Sequence, residues 1–455
     1  MIQLFDVYNQ ESQDLHYSLT EAGLSDLAVV IEPDGFLPDG VVSPFTYYLG
    51  YDSGKPLYFN QVPVPDFWEI AGNNQFGTIN DLNQERAVIH FADGLQARLV
   101  KKVEWKTPAG RIFQVDHYNR FGACFAKTTF DGSGQAIMTS YRNVDQKEVI
   151  LENHVTGDIL LTLEGQGLRH FSGRVAFIID FLQGLRVNLD HILFNTLSTS
   201  FLTSFHFPEK SGQFPEKSGQ DILIWQEPLH DDIPGNMQLI LENDQLRAKT
   251  IIIPDYATYE RALQLTDEKF HHKFSHLGYH YHFKRDNFVR SDALIVTNSD
   301  QLEQVEKLVE SLPKVTFRIA AVTEMSTKLL DMIRYPNVVL YQNASPQKIQ
   351  ELYQLSDIYL DINYGNELLQ AVRQAFENNQ LILAFEETAH NRRYIAPNHI
   401  FAKEAVEDMI QTIELALSNV TEMGQALGEQ GYYANYVDPI TYQDRMQTIL
   451  GESHD

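Results

Sequence analysis

The sequence predicts an α/β protein with two parallel-sheet domains and an antiparallel β-sheet domain inserted into the first. Three observations lead to this prediction. At 455 residues the chain is long enough for two or three domains with full cores. In the C-terminal half, short apolar runs alternate with helical patterns, which is typical of a parallel sheet covered by helices. Between residues 61 and 171, alternating apolar and polar residues separated by turn signals are typical of an antiparallel meander.

The N-terminal parallel-sheet domain is predicted from two separate pieces of chain, residues 1–60 and 172–290. Within them the apolar runs LAVVIE, DILIWQEP and KTIIIPD predict strands at residues 27–32, 221–228 and 249–255. The antiparallel domain lies between the two pieces. Its turn signals are Asp93-Gly94, Pro108-Ala109-Gly110 and Asp131-Gly132.

A duplicated heptapeptide, FPEKSGQFPEKSGQ, occupies residues 207–220. Two copies are too few for a solenoid, and the Pro, Ser, Gly and charged residues predict a surface loop. Because loops accept insertions at little entropic cost, we interpret the duplication as a tolerated insertion, with a functional loop as the alternative.

The C-terminal parallel-sheet domain is predicted over residues 291–455. Strands alternate there with helices of about 10 to 14 residues, and residues 405–450 are predicted to form helices with polar faces. The predicted strands have the sequences ALIVTN, TFRIAAV, VVLYQN, IYLDIN, LILAFEE and HIFAKE.

Composition limits the classes of function and of location. The formal net charge is -26, and no basic face of the kind that binds nucleic acid is visible. The first residues lack the basic and apolar regions of a secretory signal, and no apolar run approaches the roughly 20 residues that span a bilayer. Cys124 is the only cysteine, so no intrachain disulfide is expected. These features predict a cytoplasmic location.

Histidines crowd the segment HHKFSHLGYHYHFKR, which begins at His271. Of these, His272, His276 and His280 are spaced four apart and would share one face of a helix, where they could bind a metal ion. A metal site would also need carboxylates and an ordered outer shell, so we favour a hinge between domains. The sequence therefore predicts no metal site and no cofactor.

The segment with the most chemical information is LYQLSDIYLDINYGNELLQAVRQAFENNQLILAFEET, residues 352–388. It predicts a strand, a short turn, a helix over residues 367–378 and a second strand. Asn366 stands at the turn and would cap the helix, and Gln374 follows within it. Units of this kind build sugar-nucleotide sites when acids and glycines stand at the turn. Here amides occupy those positions, and no Gly-rich phosphate loop follows any predicted strand.

This segment resembles the donor-binding motif of retaining glycosyltransferases with the GT-B architecture, in which two Rossmann-like domains face a cleft. The two acids of the motif fall on Asn366 and Gln374, and two of its glycines fall on Glu367 and Leu369. An amide keeps the shape of an acid but loses the charge that strengthens hydrogen bonds to the donor. Leu369 would obstruct a diphosphate and Glu367 would repel it. The resemblance therefore implies a GT-B-like fold whose donor chemistry has been lost.

Such enzymes also carry an Arg and a Lys early in the C-terminal domain. Arg285, Arg290 and Lys328 are candidates for this pair, but no family motif surrounds them. A purely structural interpretation of the turn is open as well, because Asn366 suits a helix cap and Glu367 suits the first turn of a helix.

Seven longer segments, spread over nearly the whole chain, carry a more specific resemblance. They are EPDGFLPDGVVSPFTYYLG, KPLYFNQVPVPDFWEI, VDHYNRFG, ILFNTLSTSF, ILIWQEPLHDDIPGNM, ALIVTNSDQ and YPNVVLYQNASP. In these segments the chain resembles the GtfB-type stabilising subunits of the O-GlcNAc transferases that modify serine-rich-repeat adhesins, which belong to accessory Sec systems.

The resemblance implies a non-catalytic subunit without transferase activity of its own. Its partner would be a homologous GT-B subunit of the GtfA type, which binds UDP-GlcNAc and puts the first GlcNAc on Ser and Thr of the repeats before export. The subunit would stabilise this partner in a hetero-oligomer and bind the acceptor polypeptide, with the inserted β-domain as the contact surface. The resemblance also implies peripheral association with the cytoplasmic face of the cell membrane.

The acceptor-binding residues are predicted where the strand DILIWQEP ends and in the PGNM that follows. If this strand ends at the mouth of the cleft, five side chains would line it: Trp225, Gln226, Glu227, Asn236 and Met237. Binding a disordered Ser/Thr-rich segment costs ordering entropy, so many weak contacts along a groove are expected. The alternative is that Trp225 belongs to the core and Asn236 to a turn.

Two other functions stay open at this point. The chain could be an active retaining GT-B glycosyltransferase that uses UDP-GlcNAc through an unusual donor site. It could also be a free-standing glycan- or peptide-binding module, which predicts a stable monomer without a partner. Binding of UDP-GlcNAc to the isolated chain would distinguish the active glycosyltransferase from a non-catalytic subunit. The oligomeric state would distinguish the free-standing binding module from a subunit of a complex.

Overall fold

The chain forms two compact units. The first extends from Met1 to Leu277 and includes a helix near the C-terminus, and the second extends from Gly278 to Asp438. The predicted turn Asp93-Gly94 and most of the duplicated heptapeptides lie outside the described residues. The structure is a computed structural model that describes residues 1–25, 27–73, 75–92, 98–208 and 219–451.

The strands are given in chain order. They are β1 (Ile2–Phe5), β2 (Leu27–Val30), β3 (Val41–Val42), β4 (Glu69–Gly72), β5 (Phe76–Asp81), β6 (Gln84–Phe91), β7 (Val100–Lys106), β8 (Ile112–Tyr118), β9 (Cys124–Phe130), β10 (Ala136–Arg142), β11 (Glu148–Asn153), β12 (Ile159–Leu163), β13 (Gly167–Phe171), β14 (Ile192–Phe194), β15 (Asp221–Ile224), β16 (Ala248–Ile253), β17 (Phe274–His276), β18 (Asp292–Thr297), β19 (Thr316–Ala321), β20 (Val338–Tyr341), β21 (Ile358–Asp361), β22 (Leu381–Phe385) and β23 (Ile400–Phe401).

Helices connect the parallel strands and follow the last of them. Among the residues that the structure describes, no helix is long and apolar enough to cross a membrane. The α-helices are α1 (Gln10–Glu21), α2 (Pro44–Tyr47), α3 (Arg174–Gly184), α4 (Thr199–His206), α5 (Gly235–Glu242), α6 (Tyr256–Leu265), α7 (Val305–Ser311), α8 (Thr327–Leu330), α9 (Pro346–Leu355), α10 (Ala371–Glu377), α11 (Val406–Ala416), α12 (Val420–Tyr433) and α13 (Pro439–Leu450).

The first unit contains a seven-stranded parallel sheet in the order β17-β16-β15-β14-β1-β2-β3. Strands β1, β14 and β15 are buried along their whole length. Central strands of a parallel sheet must be apolar on both faces, because both faces are covered. The strands predicted near residues 27, 221 and 249 are observed as β2, β15 and β16.

The inserted sheet has ten antiparallel strands, and its spatial order from β13 to β4 follows the order in the chain. The predicted meander is therefore confirmed. Among the strands that the structure describes, β4 pairs with β5 alone, so it forms an edge of the sheet.

The antiparallel sheet shares an apolar core with the parallel sheet. Ile2 and Val29 of the parallel sheet belong to the same buried cluster as Ile150 and Leu161 of the antiparallel sheet, and Phe177 of α3 joins them. All five side chains have no exposed surface. Because this core is continuous, the two sheets form a single compact unit.

A buried ion pair accompanies this core. Arg174, at the start of α3, lies 2.5 Å from the carboxylate of Glu152, which is 3% exposed. The same guanidinium contacts the Glu32 carboxylate and lies 5.4 Å from the ring centre of Phe45. The Tyr141 hydroxyl donates to Glu152 at 3.2 Å. The buried carboxylate is thus satisfied from two sides, as a buried charge must be.

The second unit contains a six-stranded parallel sheet in the order β20-β19-β18-β21-β22-β23. An apolar cluster that includes Leu308 of α7 and Met409 of α11 packs with this sheet. A second cluster includes Leu352 of α9 and Phe376 of α10. The predicted alternation of strands and helices is confirmed in this unit.

Helix α13 belongs to the first unit, whereas the predicted C-terminal domain extended to residue 455. In the structure Arg445 of α13 donates to the His276 carbonyl oxygen at 3.4 Å. The prediction was wrong for this helix because an amphipathic pattern specifies a buried face but not the domain that covers it.

Replacement of Arg174 by Met should lower the free energy of unfolding by about 3–5 kcal/mol, because Glu152 would stay buried without its partner. Chemical denaturation measures the change. Lys147→Ala is the matched control, because the Lys147–Glu164 pair at 2.9 Å is exposed to solvent and should contribute little to the free energy of unfolding. Equal losses in the two variants would contradict a structural role of the buried pair.

Candidate functional site

A depression lies at the carboxyl edge of the seven-stranded sheet, where β14 and β15 end and α5 begins. Its volume is about 660 Å³, within the range of sites that hold small ligands or peptide segments. The carboxyl edge is where open parallel sheets bind ligands. The lining residues are Thr196, Leu197, Ser198, Trp225, Glu227, Pro228, Leu229, His230, Asp231, Asp232 and Pro234.

Trp225 lines the depression and also belongs to the core beneath it. It is 5% exposed and packs in the cluster that contains Phe201 and Met237. Its indole N–H is buried and has no acceptor among the described residues. Buried donors without an acceptor are rare in folded proteins, and this N–H is one that the described side chains leave unsatisfied. Both interpretations of Trp225 made from the sequence, core and site, are therefore compatible with its position.

The other four predicted residues fall into two groups. Glu227 is exposed and lines the depression. Asn236, in the first turn of α5, donates from its side chain to the Leu197 carbonyl oxygen at 2.9 Å and so holds the wall of the depression. Asn236 therefore lies in a helix and not in a turn. Asn236, Gln226 and Met237 are not among the lining residues.

Gln226 and Met237 face the interior of the first unit. The Gln226 side chain accepts from Asn195 at 2.9 Å and donates to the Glu11 carbonyl oxygen at 3.0 Å. Met237 has no exposed surface. Both residues support the depression from below.

Sequence reasoning missed the loop after β14, which contributes Thr196, Leu197 and Ser198. This loop is held by Asp6 at the end of β1, because the Asp6 carboxylate accepts from the Thr196 hydroxyl and, at 2.8 Å, from the Ser200 hydroxyl. The hydroxyl-rich run TLSTS directly after an apolar strand was the available signal.

The rim of the depression is acidic. Glu227, Asp231 and Asp232 are exposed, and none of the described residues that line the depression is Lys or Arg. The Arg261 guanidinium donates to the His230 carbonyl oxygen at 2.9 Å and lies 3.9 Å from the Asp231 carboxylate.

The predicted donor turn lies at the carboxyl edge of the six-stranded sheet, after β21. Helix α10 begins at Ala371, four residues later than predicted. Leu369 and Gln370 have φ angles of 57° and 53°, a left-handed backbone that no helix can continue through. Asn366 is exposed and does not cap the helix, so the predicted cap was wrong.

Side chains of this edge are bound to the protein itself. A Glu367 carboxylate oxygen accepts from the backbone N–H of Val372 at 3.1 Å, and burial raises the pKa of Glu367. The Gln374 amide oxygen accepts from Lys284 at 2.8 Å, and Lys284 also lies 2.7 Å from the Glu377 carboxylate. The first turn of α10 thus already has an anionic partner from its own chain.

A buried ion pair fixes the loop that follows β21. His390 lies 2.7 Å from the Asp361 carboxylate, which is 2% exposed, and its other ring nitrogen lies 2.6 Å from the Gly365 carbonyl oxygen. The hydrogen bond that His390 donates to the Asp361 carboxylate raises the pKa of His390 to about 9, so the imidazolium donates to both acceptors at neutral pH. A Cβ at Gly365 would lie 2.0 Å from the Asn298 amide oxygen, so this close approach requires glycine.

The three basic side chains considered for the donor site do not lie at the predicted donor turn. Arg285 lies 2.6 Å from the buried Asp357, and Arg290 donates to the Gln354 carbonyl oxygen at 2.7 Å. Asp357 directly precedes β21, so both arginines lie at the amino edge of the sheet, opposite the predicted donor turn. Lys328 is exposed in α8.

The histidine-rich segment does not form the helix on which the metal alternative depended. Residues Glu268–Lys273 form a 3-10 helix and strand β17 follows. The rings of His271 and His276 lie 3.0 and 3.1 Å from the carbonyl oxygens of Leu263 and Pro254. Across the part of the chain that the structure describes, no group of three or more His, Cys, Asp or Glu residues is arranged to hold a metal ion.

Models of protein families match four parts of the chain. The GtfB N-terminal domain matches residues 2–48, the GtfB middle domain residues 68–172 and the GtfB third domain residues 174–265. The GftB/GlyA-F C-terminal domain matches residues 293–430. Together these matches cover most of the chain.

The chain is 67% identical over 451 residues to the UDP-N-acetylglucosamine–peptide N-acetylglucosaminyltransferase stabilizing protein GtfB of Streptococcus pneumoniae serotype 4, covering 99% of this chain and 100% of the relative. It is 54% identical over 456 residues to the protein of the same name from Streptococcus gordonii, covering 100% of both. A solved GtfA/B complex bound to UDP and GlcNAc contains a similar chain, with a TM-score of 0.93 and 54% identity over 98% of this chain and 99% of that chain. The predicted GT-B-like α/β fold class is confirmed.

The Asp361–His390 pair should stabilise the fold in a pH-dependent way. The pKa of His390, about 9 when folded against 6.5 ordinarily, makes the contribution complete below pH 6.5 and removes it as the pH rises through 9. His390→Gln should therefore cost about 2 kcal/mol of unfolding free energy at pH 6 and much less at pH 10.

Denaturation of both proteins at pH 6, 8 and 10 measures this difference. His206→Gln, at an exposed position, is the control and should leave the pH profile unchanged. A difference between wild type and His390→Gln that stays constant from pH 6 to pH 10 would contradict the ion pair.

Proposed function

The chain belongs to the family of GtfB stabilising proteins, and we propose that it is the non-catalytic stabilising subunit of a UDP-GlcNAc-dependent peptide O-GlcNAc transferase. The observation that carries this proposal is the carboxyl edge of the six-stranded sheet, where Glu367 and Gln374 are bound to the protein's own groups. Nucleotide-sugar binding would have to displace these contacts, and the two acids of the donor motif are absent. The subunit therefore has no transferase activity alone.

The catalytic work belongs to a GtfA-type partner in a hetero-oligomer. The relatives are named as stabilising proteins of the transferase, and the similar solved chain comes from a GtfA/B complex. A subunit that stabilises another must bury a surface with it, and a surface that is buried only in the complex exposes apolar groups when the chain is alone.

The antiparallel sheet supplies such a surface. Phe67, two residues before edge strand β4, is 97% exposed and has a φ angle of 72°. A phenylalanine held in a left-handed backbone and extended into solvent has no stabilising role within its own chain. Phe67 and β4 together offer an aromatic anchor and an unpaired strand edge, which we assign to the contact with the catalytic subunit.

The acceptor polypeptide binds in the depression at Trp225. A Ser/Thr-rich segment of a serine-rich-repeat adhesin is an extended chain, and the depression at the carboxyl edge of the sheet has the volume to hold a peptide segment. Glu227 lines the same depression and Asn236 fixes its wall. In this assignment the complex adds the first GlcNAc to Ser and Thr before accessory-Sec export, at the cytoplasmic face of the cell membrane, and the membrane association is peripheral.

Calorimetric titration of UDP-GlcNAc into the purified chain, the purified partner and their complex tests the division of labour. The isolated chain should give no binding heat, and the complex should bind in the ratio that the partner alone shows. Saturable binding to the isolated chain at micromolar affinity would overturn the proposal, because it would mean that Asn366 and Gln374 still serve a donor.

Phe67→Ser should weaken assembly with the catalytic subunit by at least about tenfold, as loss of an exposed aromatic anchor does in other interfaces. Affinity between the purified subunits is measured by surface plasmon resonance. Ile440→Ser removes a similarly exposed apolar side chain, 71% exposed in α13, and should leave the affinity unchanged. Unchanged binding of Phe67→Ser would place the contact outside this part of the sheet.

A further inference from the structure

Four side chains form a continuous hydrogen-bonded chain across the antiparallel sheet, and we propose that this chain couples the protonation of His154 to the tautomer of His117. We call it the His–Thr relay, and its members are His117, Thr128, Thr139 and His154. The relay is a pH-sensitive device built into the inserted sheet. It concerns this sheet alone, so it does not depend on the proposed function.

Adjacent strands place the members of the relay next to one another. Thr128 of β9 lies opposite Thr139 of β10, and their hydroxyl oxygens are 2.8 Å apart. The Nε2 atom of His117, in β8, lies 3.0 Å from the Thr128 hydroxyl. The Nε2 atom of His154, directly after β11, lies 2.8 Å from the Thr139 hydroxyl. The His154 backbone N–H donates to the Ile137 carbonyl oxygen at 2.8 Å, which holds this end of the relay in place.

The two threonine hydroxyls are buried, and this limits where their hydrogens can point. Thr128 is 8% exposed and Thr139 is 4% exposed. Among the described residues, no group outside the relay accepts from either hydroxyl. Since a hydroxyl has one hydrogen, both hydroxyls must donate in the same direction, toward His117 or toward His154. The relay therefore has two polarities.

Protonation of His154 allows only one of these polarities. An imidazolium donates from both ring nitrogens and accepts at neither. Its Nε2–H donates to Thr139, so both hydroxyls donate toward His117. The Nε2 atom of His117 is then an acceptor, and the neutral His117 ring carries its proton on Nδ1. A neutral His154 donates or accepts at Nε2, so it allows both polarities and both tautomers. The fraction of His117 with its proton on Nδ1 therefore rises as the pH falls.

The two histidines differ in how they respond to pH. Burial, followed by the nearby charge of Lys102, lowers the pKa of His117 to about 4, against the opposing charges of Asp116 and Glu104. His117 therefore stays neutral when the pH falls from 8 to 6. Its Nδ1 atom has no hydrogen bond among the described residues, so the proton can occupy either nitrogen. His154 is exposed, and imidazoles in solvent change charge between pH 5 and 8.

Other charged groups near His117 lie in pairs of their own. The Glu104 carboxylate lies 2.7 Å from Lys102 and 3.0 Å from His90. The Asp116 carboxylate accepts from the Trp105 indole N–H at 3.0 Å. A charge change at His90 would alter the electric field at His117, but it would not act through the two threonines. This difference separates the relay from an effect through space.

The charged groups adjacent to His154 in the chain are paired as well. Glu152 of β11 is bound to Arg174, and Asp158 lies 2.9 Å from the ring of His170. Neither acid is recorded in contact with the His154 ring, whose hydrogen-bond partner among the described residues is Thr139.

Long-range ¹H–¹⁵N correlation spectra of the full chain, labelled with ¹⁵N in its histidine rings, measure the tautomers. Between pH 8 and pH 6 the ratio of Nδ1–H to Nε2–H in His117 should rise by about fivefold or more, because the opposite polarity would leave a buried hydroxyl without a partner. The signals are assigned by their loss in His117→Gln and His154→Gln.

Thr139→Val removes the hydroxyl at the centre of the relay and should abolish the response of His117 to pH. Thr129→Val is the matched control, because Thr129 is exposed and its hydroxyl donates to the Met138 carbonyl oxygen at 3.4 Å, outside the relay. This control should keep the response of the wild type. His154→Leu changes an exposed position, so it should leave the fold intact, and it should abolish the response as well.

Two results would overturn the proposal. The first is a His117 tautomer ratio that is equal at pH 8 and pH 6 in the wild type. The second is a response that persists in His154→Leu or in a folded Thr139→Val variant, since the charge change would then reach His117 through space. Circular dichroism shows whether Thr139→Val is folded, and His154→Leu decides the question if it is not.

Discussion

The apolar core that continues from the parallel sheet into the antiparallel sheet is the constraint on which the first unit depends. Strands β1 and β2, helix α3 and strands β11 and β12 contribute to one buried cluster. Each large apolar side chain buried there contributes roughly 1.5–3 kcal/mol relative to exposure. Because Arg174 and Glu152 lie next to this core, the polar and the apolar contacts require the same arrangement of the two sheets. The insertion is therefore a structural part of the unit that carries the depression.

The carboxyl edges of the two parallel sheets differ in how their polar groups are satisfied. At the edge of the six-stranded sheet, Glu367, Gln374 and His390 each find hydrogen-bond partners within the chain. At the edge of the seven-stranded sheet, the Trp225 N–H has no partner among the described residues. This difference agrees with the proposal that donor chemistry is left to the catalytic partner and that the acceptor binds in the depression.

The fold was largely predictable because buried strands and alternating strands have distinct apolar patterns. The start of α10 could not be predicted, because Leu369 and Gln370 rarely adopt a left-handed backbone. Gly or Asn at these positions would have indicated such a conformation. The unit against which α13 packs could not be predicted either, since an amphipathic pattern indicates a buried face but not the element that covers it. The loss of the two donor acids could be predicted from the sequence alone, because it depends only on which residues stand at the motif positions.

The depression was only partly predictable, because some of the residues that form it are far apart in the sequence. Trp225 and Glu227 follow a recognisable strand, but the wall at Thr196 depends on Asp6, which stands 190 residues away in the sequence. Such a site arises from parallel strands that bring their carboxyl ends together, and each strand alone shows only one contributor. In the proposed function, a repetitive acceptor presents the same weakly bound segment to this depression many times. Because repeated segments raise the effective concentration at the site, useful occupancy does not require tight binding of any one of them.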